Sequence, residues 1–452
     1  MEILRNVNDA YVSMLGINPV DATKSYRWNK LITSVDIDDG KVMFNGLTRA
    51  IIFLKNTELE SICDIKTYAF LYRAYFLVDK DFDEYAELRK MRTRLQTPVD
   101  DLYLSRINRY TVVTTLACNA RCKYCYEAGI KSKKSMTNAT ALKIAEYIVN
   151  HSDGNNTITL DWFGGEPLVN TKVIDLITNY LATRNFSFVS TIISNGYLLD
   201  EKMVKKAKNN WHLQGIQITL DGTEDVYNSI KNYVSAKESP YKRVLNNIKL
   251  LLKSGIQVSV RLNVGEENGD NLLELIDELN LTFGARSGLQ IYCRALFDSD
   301  GSYSEEKNKR IYAYINAIES KLQEYEFEVG KFCGPEMMLA QCMADDGSSI
   351  LIEPNGKIGT CEHYLDSDFF GDINTSNREM QVLKDWHDYL DDLDICKDCS
   401  IYADCLRPKK CVELMHCDAM VKQNRIDNYK TGLKRFYLDY RMYNMLPNAL
   451  ML

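Results

Sequence analysis

The chain has 452 residues, of which 45% are hydrophobic and 26% charged, and carries a formal net charge of −7. That length exceeds what one compact core supports, so two or three domains are expected. The acidic balance argues against a general nucleic-acid binder, and without a basic segment leading into an apolar core near the start or any long apolar stretch, neither a signal peptide nor a membrane span is expected. The expectation is a cytoplasmic protein.

In residues 1–100 an alternating run from Leu31 to Ile37, the turn Asp38-Asp39-Gly40 and a second run from Val42 to Leu54 predict hairpin strands. Two helical patterns follow, the second from Asp81 to about Leu95 with Phe82, Tyr85, Leu88 and Leu95 on one face. An α+β unit of winged-helix size fits. From Tyr110 strands alternate with helices: Tyr110–Leu116, Thr157–Trp162, Phe188–Ser194, Ile216–Leu220, Gln257–Asn263 and Leu289–Ala295 read as strands, with helices such as Asn138–Asn150 and Tyr241–Lys253 between them. Such alternation implies parallel strands and crossover helices, and six strands suggest a partial (β/α)6 barrel with its chemistry at the C-terminal strand ends. The pattern divides the chain into an N-terminal unit (1–100), the α/β barrel (101–303), a bridging region with a long helix (304–340), a cysteine-rich region (341–420) and a helical tail (421–452).

Thirteen cysteines are the loudest chemical feature, and in a reducing compartment they point to metal or catalysis rather than disulfides. Cys63 and Cys293 stand alone and read as buried apolar side chains. Cys118, Cys122 and Cys125 crowd onto the loop after the first barrel strand. Three thiolates so placed can hold three irons of a 4Fe–4S cluster and leave the fourth open for catalysis. Structural zinc is the alternative, but it takes four ligands, and no fourth Cys or His lies nearby in sequence. The remaining eight are Cys333, Cys342, Cys361, Cys396, Cys399, Cys405, Cys411 and Cys417. Cys396-x2-Cys399 also has zinc-ribbon spacing, so that reading stays open here.

The Cys118-x3-Cys122-x2-Cys125 loop, followed in order by Gly164-Gly165-Glu166-Pro167, Ser194-Asn195, Asp221 and Arg261-Leu-Asn263 at strand ends, resembles the radical S-adenosylmethionine superfamily over residues 108–300. The resemblance implies that the three cysteines bind a 4Fe–4S cluster and that Gly164, Gly165, Glu166 and Pro167 hold the amino group of S-adenosylmethionine. Ser194, Asn195, Asp221, Arg261 and Asn263 would contact its ribose and carboxylate, and Tyr124 would lie near the adenine. The implied chemistry is formation of a 5′-deoxyadenosyl radical that abstracts hydrogen from an unactivated C–H.

The C-terminal spacing, Cys342-x13-Gly356-x4-Cys361 and then Cys396-x2-Cys399-x5-Cys405-x5-Cys411 and Cys417, resembles the SPASM domain, which carries up to two auxiliary 4Fe–4S clusters. This chain has five residues between Cys405 and Cys411 where the family pattern has three. The resemblance assigns Cys342, Cys361 and Cys411 to the first auxiliary cluster. A ligand count leaves that cluster one short, and Cys333, nine positions before Cys342, is the expected fourth, the alternative being an open iron that binds a substrate thiolate. The same resemblance assigns Cys396, Cys399, Cys405 and Cys417 to the second, for three clusters in all. Glu362 and His363 directly follow Cys361, and Glu362 is the candidate base, set against a structural or surface role.

Where this family modifies ribosomally made peptides, an N-terminal extension of this size is often a leader-recognition unit. A precursor peptide with a leader is therefore the expected partner, with flavodoxin or ferredoxin as electron donor. Arg89, Lys90, Arg92 and Arg94 would attract an acidic leader, or else complement a helix C-terminus. The expected activity is thioether crosslinking of Cys in the precursor. Carbon–carbon crosslinking, epimerisation and formylglycine formation are alternatives, and an iron–sulfur redox scaffold is the non-enzymatic one.

Overall fold

The structure is a computed structural model that describes residues 1–16, 25–60, 69–101, 107–129, 134–152, 156–236, 238–296, 302, 304–329, 334–375, 379–390, 394–414 and 416–449. Cys63 and Cys333 lie outside the described residues.

The N-terminal strands are β1 (Glu2–Arg5), β2 (Tyr26–Trp28), β3 (Ile32–Ile37), β4 (Gly40–Asn45), β5 (Ile51–Lys55) and β6 (Leu77–Asp79). Four of them form an antiparallel sheet in the order β1-β5-β4-β3, and β2 pairs with β6. Val42-Met43-Phe44 and Ile51 to Leu54 are unbroken apolar runs because this sheet is covered on both faces. Met43, Ile52 and Leu54 pack on Leu71, Tyr72 and Phe76 of the same unit. The alternate residues Val42, Phe44 and Phe53 pack on Met337, Ile401, Tyr402, Tyr429 and Leu433. The N-terminal unit thus shares a core with the cysteine-rich region and with the final helix, Ala419–Ala449. Tyr437 of that helix stacks on Phe53 at 5.5 Å, and Arg441 pairs with Glu2 at 2.7 Å.

The barrel strands are β7 (Arg109–Thr115), β8 (Ile158–Gly164), β9 (Phe188–Ser194), β10 (Leu213–Thr219), β11 (Gln257–Val264) and β12 (Leu289–Ala295). Each lies beside its sequence neighbour, and all pairings are parallel. Intervening helices include Asn138–His151, Glu201–Asn210 and Pro240–Lys253, which begin on Thr137, Asp200 and Ser239, side chains that accept first-turn amides. Their apolar stripes, among them Ile144, Ile148, Val204, Val244 and Ile248, join the strands in one core, and Cys293 is buried there as expected.

The sheet does not stop at β7. β13 (Ser349–Ile352) runs parallel to β7, and β14 (Lys357–Gly359) and β15 (Phe369–Asp372) follow antiparallel, for nine strands in the order β12-β11-β10-β9-β8-β7-β13-β14-β15. The start of the cysteine-rich region is therefore continuous with the barrel sheet, which brings Cys342 and Cys361 to its β7 edge. Among the described residues no helix is long and apolar enough to cross a membrane.

Candidate active site and cysteine pockets

Cys118, Cys122 and Cys125 lie half-buried on the loop leaving β7. Main-chain bonds pin that loop to the segment closing the helix Glu224–Lys231: Arg121 N donates to Lys231 O at 2.9 Å, Lys123 N to Ile230 O at 3.2 Å and Val234 N to Asn119 O at 2.8 Å. On the other side, Gly165 N donates to Thr115 O and Glu166 N to Ala117 O, both at 3.0 Å. This close approach explains the paired glycines. Gly164 has φ +138°, and a Cβ there would collide with the Thr115 carbonyl oxygen, while one on Gly165 would stand 2.8 Å from Ala117 O. Gly164→Ala is expected to cost about 1–3 kcal/mol through backbone strain alone, before the collision is added. Thermal unfolding checks this, and an unchanged Tm would contradict it.

Glu166 is buried, and its carboxylate accepts from Ser194 Oγ at 2.9 Å, Asn195 N at 2.8 Å and Leu168 N at 3.1 Å. Burial pushes its pKa up to about 7 against these bonds. The motif after β8 is thereby tied to the end of β9, and Asn195 Nδ2 donates to Asn119 Oδ1 in the cysteine loop at 2.7 Å.

A second buried network gathers the other predicted residues. Tyr124 OH donates to Asp221 Oδ2 at 2.8 Å and accepts from Lys231 Nζ at 2.8 Å and Asn263 Nδ2 at 3.0 Å. Asn263 Nδ2 also reaches Asp221 Oδ1 at 3.1 Å, and Arg261 Nε donates to Asn263 Oδ1 at 2.8 Å. Lys231 is 2.9 Å from Asp221, with both side chains buried. Burial opposes the Lys231 charge, but Asp221, Tyr124 and Cys122 outweigh it and hold its pKa well above the usual lysine value. Asn268 fixes the strand ends by donating to the carbonyls of Asp221 and Asn263, each at 2.9 Å. Sequence reasoning missed Lys231, Asn268 and Asn119. A lysine closing an amphipathic helix reads as solvated, and only the fold turns it inward.

The late cysteines separate into two sets. Cys396, Cys399, Cys405 and Cys417 line one pocket together with Arg407, Lys422 and Arg425. Burial pushes the Cys399 thiol up to about 11 and raises Cys396 and Cys417 as well. Cys342, Cys361 and Cys411 are near enough to disfavour one another's ionisation, with Asp345, Glu362 and Glu413 around them. Glu362 and His363 stand between this set and the β7 loop, and the His363 ring meets Tyr126, next to Cys125, at 4.4 Å.

Among the described residues no group of three or more His, Cys, Asp or Glu gathers closely enough to hold a single metal ion. A cubane cluster instead takes one thiolate per iron, which spaces its ligands more widely. The donors fit such clusters: mostly half-buried thiols that desolvation makes hard to ionise alone, relieved by cationic iron, and in the second pocket three cations ready to balance thiolate charge. One expected contact is corrected. Arg92 is not a surface charge, since its guanidinium is buried and donates to Tyr402 O at 2.7 Å and Ala403 O at 3.1 Å. Arg89, Lys90 and Arg94 do line an open surface groove.

Six successive parallel strands with three cysteines on the loop after the first of them form the α/β arrangement that the sequence pattern predicts. Residues 112–279 match the radical SAM superfamily, so the chain carries a radical SAM domain. A GTP 3′,8-cyclase of Clostridium perfringens (strain SM101 / Type A) is 25% identical over 284 residues, 58% of this chain and 83% of that protein. A cysteine-type anaerobic sulfatase-maturating enzyme of Clostridium novyi (strain NT) is 28% identical over 167 residues, 35% of this chain and 44% of that protein. In fold the chain is similar to native anSMEcpe with bound AdoMet, with a TM-score of 0.55 at 14% identity over 74% of this chain and 100% of that one. The chain spans about half the length of most curated relatives it matches.

Proposed function

We propose that the chain is a radical SAM peptide maturase that acts on a ribosomally made precursor and installs crosslinks, specifically thioethers from Cys sulfur to carbon. One observation carries this reading: three thiols, Cys342, Cys361 and Cys411, gather beside Glu362 and His363 on the side facing the Cys118 loop. Together with Cys333 or a substrate thiolate, these three thiols would hold an auxiliary cluster on the side of the Tyr126–His363 contact.

S-adenosylmethionine bound on a reduced cluster at Cys118, Cys122 and Cys125 supplies the hydrogen-abstracting 5′-deoxyadenosyl radical. We assign the turn Gly164 to Pro167 to its amino group. An ammonium beside Glu166 would favour the charged carboxylate that burial disfavours. Ser194, Asn195, Asp221, Arg261 and Asn263 are assigned to its ribose and carboxylate, and the Tyr124 ring to its adenine. Glu362 would take the proton released by the substrate thiol, and the electron released as the carbon–sulfur bond forms would pass to an auxiliary cluster held by Cys342, Cys361 and Cys411. His363, whose pKa burial holds below the usual histidine value, stands beside Glu362. Cys396, Cys399, Cys405 and Cys417 hold a second auxiliary cluster, which receives electrons from a flavodoxin or ferredoxin. The first hundred residues bind the leader, which the outer edge of β3 favours because it pairs with no other strand among the described residues.

The test is mass spectrometry of a precursor peptide co-expressed with the enzyme. A thioether removes two hydrogens and blocks thiol alkylation. A carbon–carbon crosslink removes two hydrogens but leaves the thiol reactive, and epimerisation leaves the mass unchanged. Maturation of a cysteine to formylglycine, the second reading, is favoured by the sulfatase-maturating relative, and it would remove sulfur from the product. Cys361→Ala is expected to abolish the product while S-adenosylmethionine cleavage persists. Equal loss of both in a folded variant would contradict separate roles for the two cysteine sets.

A further inference from the structure

We propose that Arg407, together with Lys422 and Arg425, forms a cationic hydrogen-bonding cradle that holds the reduction potential of the cluster at Cys396, Cys399, Cys405 and Cys417 above that of the cluster at Cys342, Cys361 and Cys411. This rests on reading both cysteine sets as cluster ligands.

Arg407 is 3% exposed, and its Nε donates to Leu414 O at 2.7 Å. Its two outer nitrogens, Nη1 and Nη2, are buried with no oxygen or nitrogen acceptor among the described residues, and the guanidinium turns toward the Cys396 thiol. Arg407 nevertheless lines the four-cysteine pocket, where it works against the burial of Cys396. A guanidinium left with unused donors in the interior is costly unless something anionic accepts them. Arg425 adds Nη1 at 3.3 Å from Cys405 Sγ, and Lys422 Nζ lines the same pocket while donating to Ile395 O at 2.8 Å. No carboxylate is among the residues lining it. The surroundings of Cys342, Cys361 and Cys411 carry carboxylates instead: Cys342 N donates to Asp345 Oδ1 at 2.9 Å, Glu362 directly follows Cys361, and Glu413 lies two residues after Cys411.

Hydrogen bonds to cluster sulfur and nearby positive charge both favour the reduced, more negative form, and nearby carboxylates disfavour it. The two auxiliary clusters therefore differ in potential by construction. Electrons collect first at the arginine-lined site.

Potentiometric titration of the fully reconstituted full-length protein, followed by electron paramagnetic resonance, tests this. The expected result is two separable auxiliary signals. Arg407→Met should lower the higher midpoint and leave the lower one in place with iron content unchanged, and Arg407→Lys should lower it less. Unchanged midpoints in a full-iron Arg407→Met protein overturn the proposal. If that variant is short of iron, Arg425→Gln and Lys422→Gln carry the test and should shift the same midpoint downward. No shift, or loss of the cluster in all three, overturns it, because the cations would then only support the fold. The ligand assignment is checked separately: Cys396→Ala with undiminished iron would defeat the cluster reading itself, whatever the arginine variants show.

Discussion

Replacing Cys118, Cys122 and Cys125 together with Ala is expected to abolish reductive cleavage of S-adenosylmethionine and to lower bound iron from about twelve to about eight per chain. The loss should be chemical rather than structural. The loop is held by the main-chain bonds at Arg121, Lys123 and Val234 and by the Tyr124–Asp221–Lys231 network, and the substitutions remove from it the bond from Ala120 N to Cys118 Sγ at 3.3 Å. Far-ultraviolet circular dichroism and Tm should therefore stay close to the parent's. Cleavage surviving in the triple variant would remove these cysteines from the chemistry.

The second large effect is on stability. Arg49 of the N-terminal unit pairs with Asp404 at 2.9 Å, with only 1% and 2% of the side chains exposed. Arg49 also donates to Gly334 O at 3.0 Å, and Tyr429 OH bonds the same aspartate. Removing one member of a buried pair strands the other, so Arg49→Ala is expected to cost about 3–5 kcal/mol. A loss below about 1 kcal/mol, the value of an exposed pair, would contradict this burial. Denaturant unfolding measures it, and adding Asp404→Asn should recover part of the loss. Because Asp404 adjoins Cys405, Arg49→Ala should also load less iron. The shared core has a consequence for binding studies as well: deleting residues 1–100 would strip Tyr402, Tyr429 and Leu433 of their partners. Leader affinity is better tested by charge reversal at Arg89, Lys90 and Arg94.

The barrel was legible because parallel strands buried under helices leave short apolar runs separated by amphipathic ones. The strands at Phe188–Ser194 and Leu289–Ala295 match the expected bounds, and the cysteine loop falls at the end of β7. The residues expected at strand ends do converge, but through partners that local pattern hides. Lys231 and Asn268 acquire their role only when the loop closes over them. The strands β13 to β15 are three or four residues long, too short for periodicity to register. The two-sided burial of β4 and β5 was written in their unbroken apolar runs, yet nothing local indicated that the second covering layer comes from Met337, Ile401, Tyr402 and the final helix through Tyr437. Arg92 illustrates the same limit. A basic residue on an amphipathic helix reads as solvated until a neighbouring loop supplies carbonyls to bind it.

The most direct test of the central claim is whether the anaerobically reconstituted, dithionite-reduced protein converts S-adenosylmethionine to 5′-deoxyadenosine and methionine. The account predicts both products in equal amounts, with their formation lost in the Cys118/Cys122/Cys125 variant. A protein with its full complement of iron that binds S-adenosylmethionine and forms no 5′-deoxyadenosine would contradict it.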